Sequence, residues 1–422
     1  MAFDLTAASP ILKVRYLGTL RKQLAQHTYL WSQIKKKIQP VSGGTFQITA
    51  HTDRTKSVVV PLAEGGTIPT ADAQGYHTMT VPNKYMYGTI QVSGPAIAAS
   101  RDSAGAFVQA LESEIDGLQR DTAHEMNRIL HSDGLAAYGY WTTADNTSGT
   151  DIDDNRGNGF TTLPIGKTMD CDLVDASNSY AILNTGTLVV TRGATTSTAT
   201  AITWATGSVA GSADGDALVR LGSVNSSGVG LYPVGIAGVI DDADPPAYGT
   251  GTTLAGGLQG VAVSGHDWWK AQVFDNSGTN RSLAFEDMQE VIDAIAINSS
   301  YTEKDIGLLL MNYPVRRAYY KLCIAERRHI NTMTLDGGWR ALDFNGMPLM
   351  VDAQCRRNRI YFINFDTLGF LQTADWDWMD KDGSYLYRDA TTDAYKATLF
   401  MYGNLACYAR NGNGLLDDII EE

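Results

Sequence analysis

Three stretches of this chain carry residues in nearly the order that chemistry requires. The run from Gly159 ends in Gly166-Lys167-Thr168, the close of a phosphate-cradling loop, but such a loop needs a glycine where Thr161 stands. His124-Glu125 opens like the helix of a zinc protease, in which two histidines hold the ion and the glutamate acts as base. Arg128 occupies the second histidine's place, and His131, two turns from His124 on the same face, leaves a pair of surface histidines. Asp375, Asp377, Asp380 and Asp382-Gly383 have the composition of a calcium loop without its register, and no glutamate falls where it would close the site. They read as turn-forming acids interleaved with Trp376 and Trp378. The cysteines Cys171, Cys323, Cys355 and Cys407 show no metal or redox spacing and read as small buried thiols. No G-x-S-x-G elbow occurs. The sequence therefore offers no catalytic residue, no cofactor and no metal, and an enzyme is not expected.

The elements that would have positioned such groups are more informative. Pro10 to Ile38 reads as a helix with Leu17, Leu20, Leu24, Trp31 and Ile34 at near-helical spacing, broken by Pro40 and Gly43-Gly44. From Thr45 to Ser93 the period becomes two: Phe46, Ile48 and Ala50 alternate with polar residues, as do Tyr85 with Tyr87 and Ile90 with Val92. Glu64-Gly65-Gly66 and Gly75 mark bends between these flanks, which predicts a long hairpin with an elaborated tip. A ribbon of that reach has open edges and is barely stable alone, so another copy of the chain is expected to cover it; the alternative is two strands in an ordinary intramolecular sheet. Ser103 to His131 is the clearest helix, about 40 Å long at about 1.5 Å per residue. Phe107, Leu111, Ile115, Leu118, Thr122, Met126 and Ile129 follow one face, with Glu112, Asp116, Arg120 and Arg128 largely off it, and Gly134 ends it.

Between Tyr140 and Gly265 the composition shifts to Gly, Ser, Thr, Ala and Val. Short β-prone pieces at 181–183, 187–191, 201–204 and 217–221 suggest a small barrel or sandwich inserted into the main fold, the alternative being a long decorated loop. A helix is expected at Leu283 to Ile297, a buried strand at Ile306 to Met311 and a helix at Pro314 to Ala325. Strands are expected at Pro348 to Val351, Arg359 to Asn364, near Leu371 and Leu386, and at Thr398 to Cys407.

With 422 residues, 44% of them apolar and 42 of them glycine, the chain can build more than one core and is β- and turn-rich. A net charge of −13 argues against wholesale nucleic-acid binding. The excess of acid is not uniform. Up to Pro40 the only acid is Asp4, against Lys13, Arg15, Arg21, Lys22, Lys35, Lys36 and Lys37, a basic arm suited to an acidic neighbour or to DNA, or simply a solvated helix face. No signal-peptide order and no membrane-spanning apolar run is seen, so a soluble, unprocessed protein of a reducing cytoplasm is expected.

The last third carries a continuous set of strings: Phe344-Asn345-Gly346-Met347-Pro348-Leu349-Met350-Val351-Asp352, then Ile360-Tyr361-Phe362-Ile363-Asn364, Asp375-Trp376-Asp377-Trp378-Met379-Asp380 and Tyr402-Gly403-Asn404-Leu405-Ala406-Cys407. Together with a long hairpin followed by a long helix, they resemble the major capsid proteins of tailed bacteriophages, the Hong-Kong-97-type shell fold. That resemblance implies an α+β chain divided into an N-terminal arm (1–44), an extended hairpin loop (45–95), a spine helix opening the peripheral domain (96–139), an inserted β-rich subdomain (140–265), an axial domain (266–370) and a return to the peripheral domain (371–422). It implies a shell of hexamers and pentamers around double-stranded DNA in a virion assembled in a bacterial cytoplasm, with portal, scaffolding and decoration proteins as partners and no membrane. Contacts between copies are expected at Glu64, Gly65, Gly66, Tyr85 and Tyr87 of the hairpin region, and at Arg316, Arg317, Arg327 and Arg328, which could pair with acids such as Glu64 or Asp116. Some members of that family cross-link lysines of the hairpin; Lys56 and Lys84 lie there without an evident asparagine and glutamate beside them. A secreted or surface-layer β-protein, suggested by the Thr/Gly-rich middle, and a soluble hydrolase are the alternatives.

Overall fold

The computed structural model describes residues 29–35, 38–41, 44–58, 62–68, 70–94, 104–141, 149–153, 168–175, 181–195, 199–204, 208–209, 211–213, 215–225, 230–244, 257–325, 332–334, 340–352, 354–380, 386–388 and 391–420. The first helix, α1, covers Tyr29–Lys35, with Trp31 and Ile34 buried as their spacing requires and Trp31 set edge-on to Phe370 at 5.3 Å. It does not extend to Ile38. Ile38–Pro40 is a strand, β1, paired in parallel with Leu368–Trp378, and its place at the sheet edge tolerates a proline that has no N–H to donate. Most of the basic arm, namely Lys13, Arg15, Arg21, Lys22, Lys36 and Lys37, lies outside the described residues, and Lys35 closes α1.

The ribbon is β2 (Thr45–Asp53) paired antiparallel with β3 (Gly75–Pro82), from Thr45 opposite Pro82 to Asp53 opposite Gly75. Its far flank is thus not Tyr85–Ser93. That segment, β4, pairs along its length with Ala394–Cys407, Tyr85 facing Tyr402 and Ser93 facing Ala394. Alternation with period two is the same whichever strand is the partner, so the pattern gave no warning of the exchange. Met86 and Ile90 on the inner side of β4 pack against α2 (Ala104–His131), the expected long helix, which ends before Gly134 takes φ +107°. Ile115, Met126 and Ile129 are buried on its core face. Arg128, expected off that face, is buried too, because the last turns are enclosed on all sides.

A closed barrel follows. Its strands are β5 (Gly139–Trp141), β6 (Gly149–Asp153), β7 (Thr168–Asp175), β10 (Leu188–Thr195), β11 (Ala199–Trp204) and β13 (Ala217–Arg220). The pairing runs β10-β11-β6-β5-β13-β7 and returns from β7 to β10, every pair antiparallel. Short strands β8 (Ala181–Ile182), β9 (Asn184–Thr185) and β12 (Ser208–Val209) decorate it. Trp141, Leu173, Leu188, Val190, Ile202 and Leu218 fill its interior. The last strand of the barrel ends at Arg220. Beyond it, α3 (Ile236–Val239) and Leu258 join the same core as Ile129 and Leu130 of α2. Gly235 permits that docking, since a Cβ there would run into the carbonyls of Ile129 and Leu130.

A second mixed sheet, which we call the axial layer, holds β14 (Gln272–Phe274), β15 (Leu308–Met311), β16 (Thr332–Thr334), β17 (Arg340–Phe344), β18 (Met347–Val351), β19 (Ile360–Ile363) and the last strand, Gly414–Leu416, in the order β14, last strand, β19, β15, β18, β17, β16. Helices α4 (Phe285–Asn298) and α5 (Tyr313–Ala325) cover the face carrying Leu309, Leu349, Phe362 and Leu416. The opposite face, with Leu308, Leu310, Tyr361 and Ile363, looks into the core shared with α2. The chain then forms β20 (Leu368–Trp378), β21 (Tyr387–Arg388) and β22 (Ala394–Cys407), which share with β1 and β4 a sheet that we call the peripheral sheet. Its end does not stay there: β23 (Gly414–Leu416) inserts into the axial sheet between β14 and β19. The acids at Asp375 and Asp377 lie within β20, not in a turn. Two register shifts bend that strand, and alternation buries Trp376 and Trp378.

Candidate assembly surfaces

The ribbon is rooted at its base and, among the described residues, little else holds it. At its base Phe46 and Val81 pack with Leu371 and Ala406. A second brace is aromatic: His77 of β3 lies 5.2 Å from His266 and 5.9 Å from Trp268, ring centre to ring centre. Beyond that, β2 alternates between exposed and half-buried, and among the described residues no other strand lies beside the pair. The tip is closed by short polar bonds, Thr55 Oγ1 donating to Asp72 O at 3.1 Å and the Lys56 N–H to an Asp72 carboxylate oxygen at 3.2 Å. Glu64, Gly65 and Gly66 form an exposed turn at the tip, Gly65 at φ +79° and the Gly66 N–H bonded to Ala63 O at 2.9 Å. Apolar side chains on this projection face solvent: Val58, Leu62, Tyr76 and, at 82% exposure, Ile68.

Tyr85 and Tyr87 are not on the ribbon but on the outer face of the peripheral sheet, each 57% exposed. Alternation along β4 and β22 sets them beside Phe400 and Tyr402. Tyr402 meets Tyr85 at 5.1 Å, Tyr87 at 6.0 Å and Phe400 at 5.0 Å. A hydrogen bond from the Tyr87 hydroxyl to Tyr402, at 3.4 Å, raises Tyr87 to about 12. Sequence spacing flagged Tyr85 and Tyr87; Phe400 and Tyr402 were missed because only the strand pairing brings them alongside.

Arg316 and Arg317 lie on α5, Arg316 half-buried over the Tyr313 ring at 5.1 Å and Arg317 exposed. Arg327 and Arg328 lie outside the described residues. Asp116 is exposed on α2, on a different element from both arginines and from Glu64. The lysines of the hairpin region differ sharply. Lys56 is exposed at the tip, whereas Lys84 is buried, donates to Gly230 O at 2.6 Å and is pushed by burial down to about 8.

The histidine pair expected on the surface is split, with His124 exposed and His131 buried. His131 Nδ1 bonds the Asn127 carbonyl at 2.7 Å, and its other nitrogen lies 3.7 Å from Asp352. Around it a polar seam joins the end of α2 to the axial layer: Asn127 donates to Asp352 at 2.9 Å, and Arg356 pairs with Asp133 at 2.8 Å. Among the described residues no group of metal-ligating side chains comes together. All four cysteines are free and buried, and burial pushes Cys171 and Cys407 up to about 12, which makes them inert thiols.

No family model and no curated protein matches this chain. Among solved structures, a chain of the capsid asymmetric unit of cyanophage A-1(L) superposes with a TM-score of 0.50 at 13% identity, over 92% of each chain. The capsid of the native GTA particle aligns at 0.46 with 10% identity over 94% of this chain and 91% of that one. The holo-SrpI encapsulin complex from Synechococcus elongatus PCC 7942 aligns at 0.41 with 8% identity, over 91% and 85%. The cyanophage match covers nearly the whole chain, and the chain has the tailed-phage capsid fold.

Proposed function

We propose that this chain is the major shell protein of a tailed phage, a container rather than a catalyst. Copies would ring together through the axial layer into hexamers and pentamers, and ribbon and arm would lap over adjacent copies to close an icosahedral shell around double-stranded DNA. The observation that carries this reading is the ribbon: a two-stranded projection with both edges open among the described residues and Ile68, Tyr76 and Val58 in solvent, features that a free monomer does not keep without cause. The cyanophage likeness supports it at the level of fold. Burial of such apolar surface between copies is worth about 25 cal/mol per Å² before ordering costs. A portal and a scaffold would act in assembly, a decoration protein could bind the outer surface, and the basic arm would meet DNA or an acidic neighbour. The surface-layer alternative rested on the Thr/Gly-rich middle, and that middle forms a small closed barrel within the shell fold. Expression of the full chain followed by sedimentation and electron microscopy tests the proposal. Capsomer rings or closed shells are expected, and a stable monomer at high concentration would overturn it.

A further inference from the structure

The two helices that cover the axial layer carry outward stripes of opposite sign. On α4 the exposed residues Glu286, Glu290, Asp293 and Ile297 recur at spacings of four, three and four, one line along a helix. Neither Glu286 nor Glu290 has an ion-pair partner among the described residues. Ile297 is 80% exposed, and between this stripe and Phe274 of the edge strand β14 lies an open groove of about 460 Å³. On α5 the exposed line is Tyr313, Arg317, Lys321 and Ile324, at spacings of four, four and three, with Ile324 68% exposed. Each stripe therefore has charge along its length and a bare isoleucine near its C-terminal end.

We propose that these are the two halves of one contact, in which the α5 stripe of one copy seats on the α4 stripe and groove of the next; the inference rests on the shell reading. Neither stripe can mate with itself, since a two-fold contact would set acid against acid or base against base. The pairing is head-to-tail, and head-to-tail contacts generate rings. The placement of the helices suits this. Helix α4 lies over one end of the sheet, Val291 and Ile295 closing on Gly414 of β23. Helix α5 reaches towards the other end, the Tyr319 hydroxyl donating to Asp343 O of β17 at 2.9 Å. Arg316, stacked on Tyr313, adds a further positive charge beside the α5 stripe.

The test uses the full chain and two charge-reversed forms, Glu290→Lys/Asp293→Lys and Arg317→Glu/Lys321→Glu, all at exposed positions, with circular dichroism confirming that each folds. Each form alone has two stripes of like sign and is expected to lose ring assembly by roughly tenfold or more at low salt. An equimolar mixture of the two is expected to recover it by alternation. Alternation closes only even-numbered rings, so hexamers return in micrographs and pentamers do not. If the folded reversed forms assemble as the unaltered chain does, or the mixture fails to restore rings, this contact is overturned while the shell reading stands. If the unaltered chain itself stays monomeric, both fall.

Discussion

Arg128 and Lys84 show how single buried charges are held in this fold, and each sets a measurable expectation. The Arg128 guanidinium is fully enclosed. It meets Glu125 at two points, 2.5 and 3.0 Å, bonds the Ala136 carbonyl and lies over the Tyr138 ring at 4.4 Å. Burial works against both charges, yet each ion outweighs that penalty for the other: the guanidinium is held above its ordinary range and the Glu125 carboxyl below its own. A depressed carboxyl stabilises the fold above its unfolded pKa and loses that contribution as pH falls through its folded one, so the pair fails in acid. Arg128→Met strands the carboxylate and is expected to cost about 3–5 kcal/mol in urea unfolding at neutral pH, much of it recovered by adding Glu125→Gln. A single variant within about 1 kcal/mol of the parent would mean that solvent already satisfies Glu125. Lys84 has the opposite balance, with one carbonyl partner and no counter-charge among the described residues, and burial pushes it from 10.5 to about 8. Its folded pKa lies below its unfolded one, so its contribution is present above about 10.5 and lost as pH falls through about 8. A shift of that size corresponds to about 3 kcal/mol. The melting temperature of the parent should accordingly rise by a few degrees relative to Lys84→Met between pH 7 and pH 10, and parallel curves would exclude a buried ammonium.

At the scale of elements, the barrel is built as a unit with its own interior. Trp141 is fully buried, 5.9 Å from Trp204, at the start of the segment that the other barrel strands enclose. Trp141→Ala is expected to cost the barrel about 3–5 kcal/mol. Hydrogen exchange should show protection lost in Leu188–Thr195 and Ala199–Trp204 but kept in Leu308–Met311 and Ile360–Ile363, because the axial strands pack in other cores. Loss of protection in both places would mean one cooperative fold. Elements whose burial is one-sided and local were legible in the sequence. Helix α4 was expected from Leu283 and begins at Phe285, and α5 was expected from Pro314 and begins at Tyr313. The strands at Leu308–Met311 and Ile360–Ile363 announced themselves as apolar runs. What failed was partnership. The alternation of Tyr85–Ser93 fits a hairpin and a sheet strand equally, and it took 300 further residues of chain to supply the actual partner, Ala394–Cys407. The same gap hid β23, three residues whose place between β14 and β19 depends on Gly414 lying against Val291. Arg128 was misjudged because helical periodicity records one buried face, whereas the end of α2 is wrapped by barrel, axial layer and α3 together.

At the scale of the molecule, the ribbon can be separated from the body that carries it. The pair Asp53 and Gly75 lie opposite each other at the outer end of the β2–β3 register, so a two-residue Asn-Gly turn can join them and remove 54–74 without disturbing the ladder below. What is removed has its own polar bonds, Thr55 and Lys56 to Asp72, and exposes Val58, Leu62 and Ile68. The contacts that hold the base, Phe46 and Val81 with Leu371 and Ala406, and His77 with His266 and Trp268, all remain. The isolated subunit therefore loses little by the deletion, and shortening the connection slightly favours folding by closing a smaller loop. Expected stability is within about 1 kcal/mol of the parent. Assembly should divide in two. Contacts of the axial layer are untouched, so capsomer rings persist, whereas lapping between neighbours loses its reach and closed shells do not form. Sedimentation separates rings from shells, and micrographs identify them. Closed shells from the tip-deleted chain would show that the exposed apolar residues of the ribbon do not bind adjacent copies, and the reason for keeping them in solvent would have to be sought elsewhere.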